Sequence, residues 1–173
     1  MDKFKEFIVR KELTTSEKLT RAFIVVCSIS LAAAIFLFTL GSVLQLLGIL
    51  AGALCLYGGW KLITSFFVEY EYILTNFDLD IDKIINQAKR KRLCTIDLHT
   101  ATEYGKVGEG FSVGEDETLV KASACNPELD DYFLRFEHKS LGKAVLVYTP
   151  SIEILEMIHS VCPRKAKNLL DKT

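Results

Sequence analysis

The sequence predicts an α+β protein in two parts. An N-terminal transmembrane helical hairpin leads into an antiparallel β-barrel or sandwich of about seven strands with a C-terminal helix. Three observations carry this prediction. Residues 22–60 form 39 consecutive positions without Asp, Glu, Lys, Arg or His. Residues 68–148 alternate apolar and polar side chains at period two between turn signals, which marks half-buried strands. Residues 152–162 then put Ile154, Leu155, Ile158 and Val161 on one helical face.

The charged leader comes first. Residues 1–21 hold six basic and four acidic side chains. Phe4, Phe7 and Ile8 share a helical face, so residues 2–13 read as a short helix on the inner leaflet or as a loosely ordered tail. Thr15 or Ser16 is positioned to cap the helix that follows.

A bilayer core takes about 20 apolar residues as a helix, so the uncharged run holds two crossings. They are read as residues 22–40 and 43–63, with Lys61 snorkelling to the surface. Thr39-Leu40-Gly41-Ser42 supplies the reversal, with Gly41 where a tight turn needs an unhindered backbone. A soluble apolar hairpin would need a larger apolar partner than the rest of the chain offers. Lys3, Lys5, Arg10, Lys11, Lys18 and Arg21 precede the run; Lys61 and residues 89–92 follow it, and the turn is uncharged. That asymmetry predicts a multi-pass membrane protein with both termini cytoplasmic. A cleaved signal peptide fits poorly, because the leader is long and the apolar run is about twice a signal core.

Within the run, Gly48 and Gly52 form a G-x-x-x-G, and Ser28 and Ala32 form a small-x-x-x-small pair on the other helix. Such spacing lets helix backbones approach in lipid. It serves either homodimerisation or packing of the two helices within one chain, which the short turn favours. No ionisable side chain lies inside the run, so it offers no proton or ion relay. Five cysteines, an odd number without a C-x-x-C pair, argue against a disulfide framework.

The soluble part starts at Val68. Strands are predicted over residues 68–75, 79–85, 92–98, more weakly 101–107, then 118–125, 132–138 and 143–148. Asn76-Phe77-Asp78 and Ser140-Leu141-Gly142 mark turns. Thr149-Pro150 reads as a helix start with Thr149 as the cap, and Pro163 as its end, before a basic Arg164-Lys165-Ala166-Lys167 tail.

Few motifs carry chemistry. Asp78, Asp80 and Asp82 begin like a calcium loop, but its sixth and twelfth positions are Lys83 and Lys89. On a strand the three carboxylates share one face, where they can pair with basic side chains opposite. Lys89-Arg90-Lys91-Arg92 reads first as a solvated hairpin end whose charges pair with the Asp run or satisfy the positive-inside bias. Its functional reading is a contact for anionic lipid headgroups, or for another anionic partner. From Lys61 onward the chain has 15 basic and 18 acidic residues, a poor electrostatic footprint for nucleic acid. His99, His138 and His159 lack metal-ligand spacing. Cys94 and Cys125 sit in no protease or hydrolase signature. Gly105, Gly108, Gly110 and Gly114 read as a flexible loop, followed by the acidic Glu115-Asp116-Glu117. No catalytic residue, metal or cofactor is predicted.

With Val68-Glu69-Tyr70-Glu71-Tyr72-Ile73-Leu74-Thr75-Asn76, then Leu79-Asp80-Ile81-Asp82-Lys83-Ile84-Ile85-Asn86-Gln87 and Lys89-Arg90-Lys91-Arg92-Leu93, the chain resembles a family of small Firmicutes membrane proteins. These carry two membrane helices and a domain like the bacterial pleckstrin-homology fold. Phe77 departs from the Gly expected in an Asn-Gly turn. The resemblance implies a cytoplasmic pleckstrin-like domain over residues 68–173 and no activity. Together these readings predict a membrane-anchored, non-enzymatic binding module that recruits a protein partner or contacts anionic lipid, with the bilayer as its setting and no nucleic acid. The alternative is an accessory subunit of a larger membrane complex.

Overall fold

The computed structural model describes residues 4–108, 111–162 and 167–168. The chain forms two units, Leu13–Phe67 and the remainder.

In the first unit α1 (Thr15–Thr39) and α2 (Gln45–Thr64) form a hairpin. At 1.5 Å per residue they measure about 37 and 30 Å, and both are long and apolar enough to cross a membrane. α1 begins well before the apolar run because its cap is Thr14, not Thr15 or Ser16. Thr14 Oγ1 accepts from the Glu17 amide (3.4 Å) while Glu17 Oε2 accepts from the Thr14 amide (3.0 Å), a reciprocal capping box. Gly41, at φ 73°, makes the reversal.

Three glycines run along α2 where α1 lies closest. A Cβ at Gly48 would fall inside the Thr39 side chain, and one at Gly59 inside Ser28; one at Gly52 would sit 3.6 Å from the Ala32 carbonyl oxygen. The hydroxyls on this seam are satisfied within α1: Ser28 Oγ donates to Ile24 O (2.7 Å) and Thr39 Oγ1 to Ile35 O (3.0 Å). Small residues thus line the interior, while Leu19, Phe23, Val26, Leu46, Leu50 and Leu54 are exposed. This inversion of a soluble protein supports membrane association. Tyr57 and Trp60 sit ring to ring at 5.9 Å near Lys61, and the Arg21 guanidinium lies over Phe67 at 4.8 Å.

The second unit is a two-sheet sandwich. One sheet has the order β1-β2-β3-β4: β1 (Phe4–Arg10), β2 (Val68–Thr75), β3 (Asp78–Ile85) and β4 (Lys89–Asp97), all antiparallel. The other has the order β6-β8-β7-β5-β9: β5 (Ala101–Lys106), β6 (Thr118–Ala122), β7 (Tyr132–His138), β8 (Gly142–Tyr148) and the two-residue β9 (Lys167–Asn168). No strand pairing joins the sheets among the described residues, so the barrel alternative gives way to the sandwich.

The seven strands expected after residue 68 are all present. The correction lies at the N-terminus, where residues 4–10 are a strand rather than a helix or tail. β1 runs from Phe4 opposite Thr75 to Arg10 opposite Glu69. The helical spacing of Phe4, Phe7 and Ile8 competes with the alternation Lys5-Phe7-Val9, and the open edge of β2 decides for the strand. Phe7 stacks on Tyr72 at 6.2 Å and Val9 is buried. The whole helical hairpin is therefore inserted between two neighbouring strands of one sheet.

Two further corrections follow. The strands are not all antiparallel, since β6 runs parallel to β8. The β7–β8 hairpin fills β8's other side, leaving β6 to cross over through residues 123–131. The cap of α3 (Ile152–Val161) is Ser151, whose Oγ accepts from the Ile154 amide at 3.3 Å. Thr149 is committed elsewhere, accepting from the Ala124 amide (2.8 Å) and donating to Asp131 Oδ1 (2.6 Å). The β2–β3 turn manages without Gly because Asn76 takes the left-handed conformation, at φ 55°. Gly110 and Pro163 to Ala166, read above as loop, helix stop and tail, lie outside the described residues.

The core between the sheets holds Tyr72, Leu74, Leu79, Ile81, Ile96, Leu134, Phe136, Leu146 and Tyr148, joined by Ile154 and Ile158 of α3. The Tyr72 hydroxyl donates to Ala122 O and accepts from the Thr149 amide (3.3 Å). It thereby bonds the second sheet from the middle of the first.

Candidate functional site

The sequence singled out residues 89–92, and the structure divides them. β3 alternates Asp78, Asp80 and Asp82 outward with Leu79 and Ile81 inward. A bulge between β3 and β4 then sets Arg92 opposite Asp82 and Cys94 opposite Ile81, with Leu93 the extra residue. Parity places Arg90 and Arg92 on the outer face of the sheet. Lys89 and Lys91 go to the face that carries Val68 and Tyr70.

The arginines meet carboxylates there. Arg92 Nε donates to Asp82 Oδ1 at 2.7 Å and its Nη1 lies 2.8 Å from Asp80 Oδ2. The bond to Asp82 and the two nearby charges hold the guanidinium all the more firmly protonated. Arg90 Nη2 donates to Glu71 Oε1 at 2.9 Å. Asp82 and Glu71 are buried at 2% and 1% exposure, an unusual state for carboxylates that only pairing sustains. Thr95 Oγ1 adds a bond to Asp80 Oδ1.

Glu71 is incompletely served. Its Oε2 is buried without a donor among the described residues, and the neighbouring carboxyl is Glu6 of β1. Burial first, then the neighbouring Glu6 carboxyl, raise the Glu71 pKa against the opposing pull of Arg90. A folded-state pKa above the unfolded value contributes stability below the unfolded pKa, and that stability is lost as pH rises through the folded value. Glu71→Gln keeps the acceptor for Arg90 and gives Glu6 a donor. It should therefore raise the melting temperature more at pH 8 than at pH 5 in paired thermal melts. An equal shift at both pH values would contradict this assignment.

Lys89 and Lys91 are exposed and form no ion pair among the described residues. Register places Lys91 directly opposite Lys83 of β3, and Lys89 opposite Ile85. Sequence reasoning missed Lys83, because its place beside Lys89 and Lys91 depends on the register of β3 against β4.

A second polar cluster fixes the loop before β6. Arg135 pairs with Glu103, lies 3.0 Å from Glu117 Oε1, and donates from Nη2 to Ser112 O (2.6 Å). Its guanidinium stands 5.4 Å from the Phe133 ring centroid. Glu117 also accepts from the Gly114 amide at 2.8 Å. The acidic segment thus supplies a structural partner as well as a soluble surface.

The remaining reactive groups are dispersed. Burial pushes the Cys94 thiol up to about 11, which leaves almost no thiolate at neutral pH. Cys125 accompanies Ser123, whose Oγ donates to Asp131 Oδ2 at 2.6 Å. His99 contacts Asp97 at 2.8 Å and His159 contacts the Tyr104 hydroxyl at 2.8 Å. No group of three metal-type ligands occurs among the described residues.

On the helices, Ser28 lies against Gly59, Ala32 against Gly52 and Thr39 against Gly48. Gly59 completes a stripe at i, i+4 and i+11 that the pair Gly48 and Gly52 only begins. α1 of the same chain covers that stripe.

Two face-to-face sheets followed by a helix packed into their core fit a PH-like module, a class that is generally non-catalytic. The chain belongs to the family described as bacterial PH-like domain (DUF6106), whose model matches residues 1–168. No curated protein and no solved structure matches it.

Proposed function

We propose that this chain is a membrane-anchored, non-enzymatic binding module whose α1–α2 hairpin holds the PH-like sandwich at the inner leaflet to recruit a protein partner. The observation that carries the reading is the chain's connectivity. β1 ends and β2 begins side by side, fastened by the Lys11 amide to Val68 O at 2.9 Å, and the entire apolar hairpin lies between them. Two adjacent tethers restrict the sandwich more than a single linker would, which lowers the ordering cost of binding a partner. A hairpin that crosses twice returns both of its outer ends to one side of the bilayer, and the basic flanks favour the cytoplasmic side. The edge strands β4 and β6 offer backbone for strand addition.

A second reading, an accessory subunit packed within a larger membrane complex, draws on the exposed apolar face of α1 that carries Leu19, Phe23 and Val26. In-cell cross-linking of the full-length protein, followed by mild-detergent purification and mass spectrometry, separates the two. An abundant partner linked through residues 68–162 supports the recruiting module. Links confined to residues 15–64 favour the accessory subunit, and recovery of the chain alone overturns both.

A further inference from the structure

We infer that Lys83, Lys89 and Lys91 form a contact for the phosphates of anionic phospholipids in the bilayer that the hairpin enters. The inference rests on the membrane-anchored reading. Lys83 and Lys91 face each other directly across β3 and β4. Like charges so placed destabilise a sheet unless something neutralises them. The outer face of the same strands supplies carboxylates to Arg90 and Arg92. The inner face supplies none to the three lysines among the described residues. Their neighbours in register are Tyr70, Ile85 and Val68, apolar surface along which lysine stems can lie.

Position selects the ligand. Lys89 pairs with Ile85, and Ile85 pairs with Val68, the first residue of β2 after the helical unit. Two strand spacings separate Lys89 from that point, about 10 Å. The lysines therefore stand at the Val68 end of the sheet, where the chain leaves it, and about 10 Å is one Debye length at physiological salt. Headgroup phosphates are the anions that a chain anchored through residues 15–64, and continuous with that strand end, keeps within reach. Ammonium groups suit them as compact point charges, whereas the two arginines are already engaged.

The test uses the full-length chain. Alkaline carbonate extraction of membranes comes first: a chain released as soluble protein overturns the anchored reading and this inference with it. A retained chain is then titrated in detergent with phosphatidylglycerol or phosphatidylcholine, and bound lipid is counted by native mass spectrometry. At about fivefold per membrane-proximal lysine, the K83Q/K89Q/K91Q variant should lose most of the preference for phosphatidylglycerol, by roughly one to two orders of magnitude. K121Q/K139Q/K143Q removes the same charge elsewhere on the sandwich and should keep that preference. Equal loss in both variants would reduce the effect to net charge and overturn the site. An unchanged preference in the first variant would also overturn it. Loss of a cross-linked protein partner in that variant, with lipid preference intact, would assign the lysines to an acidic polypeptide instead.

Discussion

Gly59→Leu should break the helical hairpin, whereas Gly58→Leu, one position away, should leave it standing. Both substitutions make the same change in helix propensity, about 1 kcal/mol in favour of Leu. They differ in what the new side chain meets. A Cβ at residue 59 runs into Ser28, while one at residue 58 meets nothing within 4 Å. Overpacking a close helix contact costs about 1–3 kcal/mol, and here the obstacle includes the Ser28 Cβ as well as its Oγ, so rotating the hydroxyl away does not clear it. Trp60 is the chain's only tryptophan, so its fluorescence during thermal unfolding in micelles reports directly on this seam. Gly59→Ala combined with Ser28→Gly moves the bulk from one helix to the other and should recover much of the loss. Equal melting of the two Leu variants would refute the glycine seam.

Val9→Asn should destabilise the sandwich by about 3 kcal/mol, and Ile8→Asn by less than about 1. Val9 is 7% exposed on the core side of β1, whereas Ile8 is 48% exposed on the other side. An amide in Val9's place loses apolar burial and must find partners inside the core. At Ile8 it meets water. The helical reading of residues 2–13 predicts the reverse order, because it places Ile8 with Phe4 and Phe7 on the buried face. Thermal melts of the two full-length variants, with proteolysis of residues 68–162 as a second readout, distinguish strand from helix. Matching stability in both variants would mean that β1 contributes nothing to the sandwich.

Much of this was legible in the residues. A 39-residue stretch without charge is long and apolar enough for two membrane-crossing helices, and the structure forms both. The strands after Val68 were readable because period-two alternation and turn residues agree. At residues 76–77 the agreement survives a missing Gly, since Asn tolerates the left-handed backbone. The candidate site was half legible. Four consecutive basic residues drew attention, yet a run of one charge says nothing about which members face carboxylates. One bulged residue, Leu93, sets that parity, and neither composition nor periodicity announces a bulge.

The sequence by itself determined the two apolar helices, their turn at Gly41, the strands from Val68 to Tyr148 and the closing amphipathic helix. Those features depend on local patterns, and each pattern here is long enough to admit one reading. Only the tertiary structure decided that residues 4–10 are a strand, that β6 runs parallel to β8, that Ser151 rather than Thr149 caps α3, and that Lys83 joins Lys89 and Lys91. Each of these turns on a partner distant in the chain: the open edge of β2, the free side of β8, Asp131 beneath Thr149, and the register of β3 against β4. Short segments carry too little local preference to choose between nearly equal conformations. The hydrogen bonds and buried surface offered by the rest of the fold make the choice.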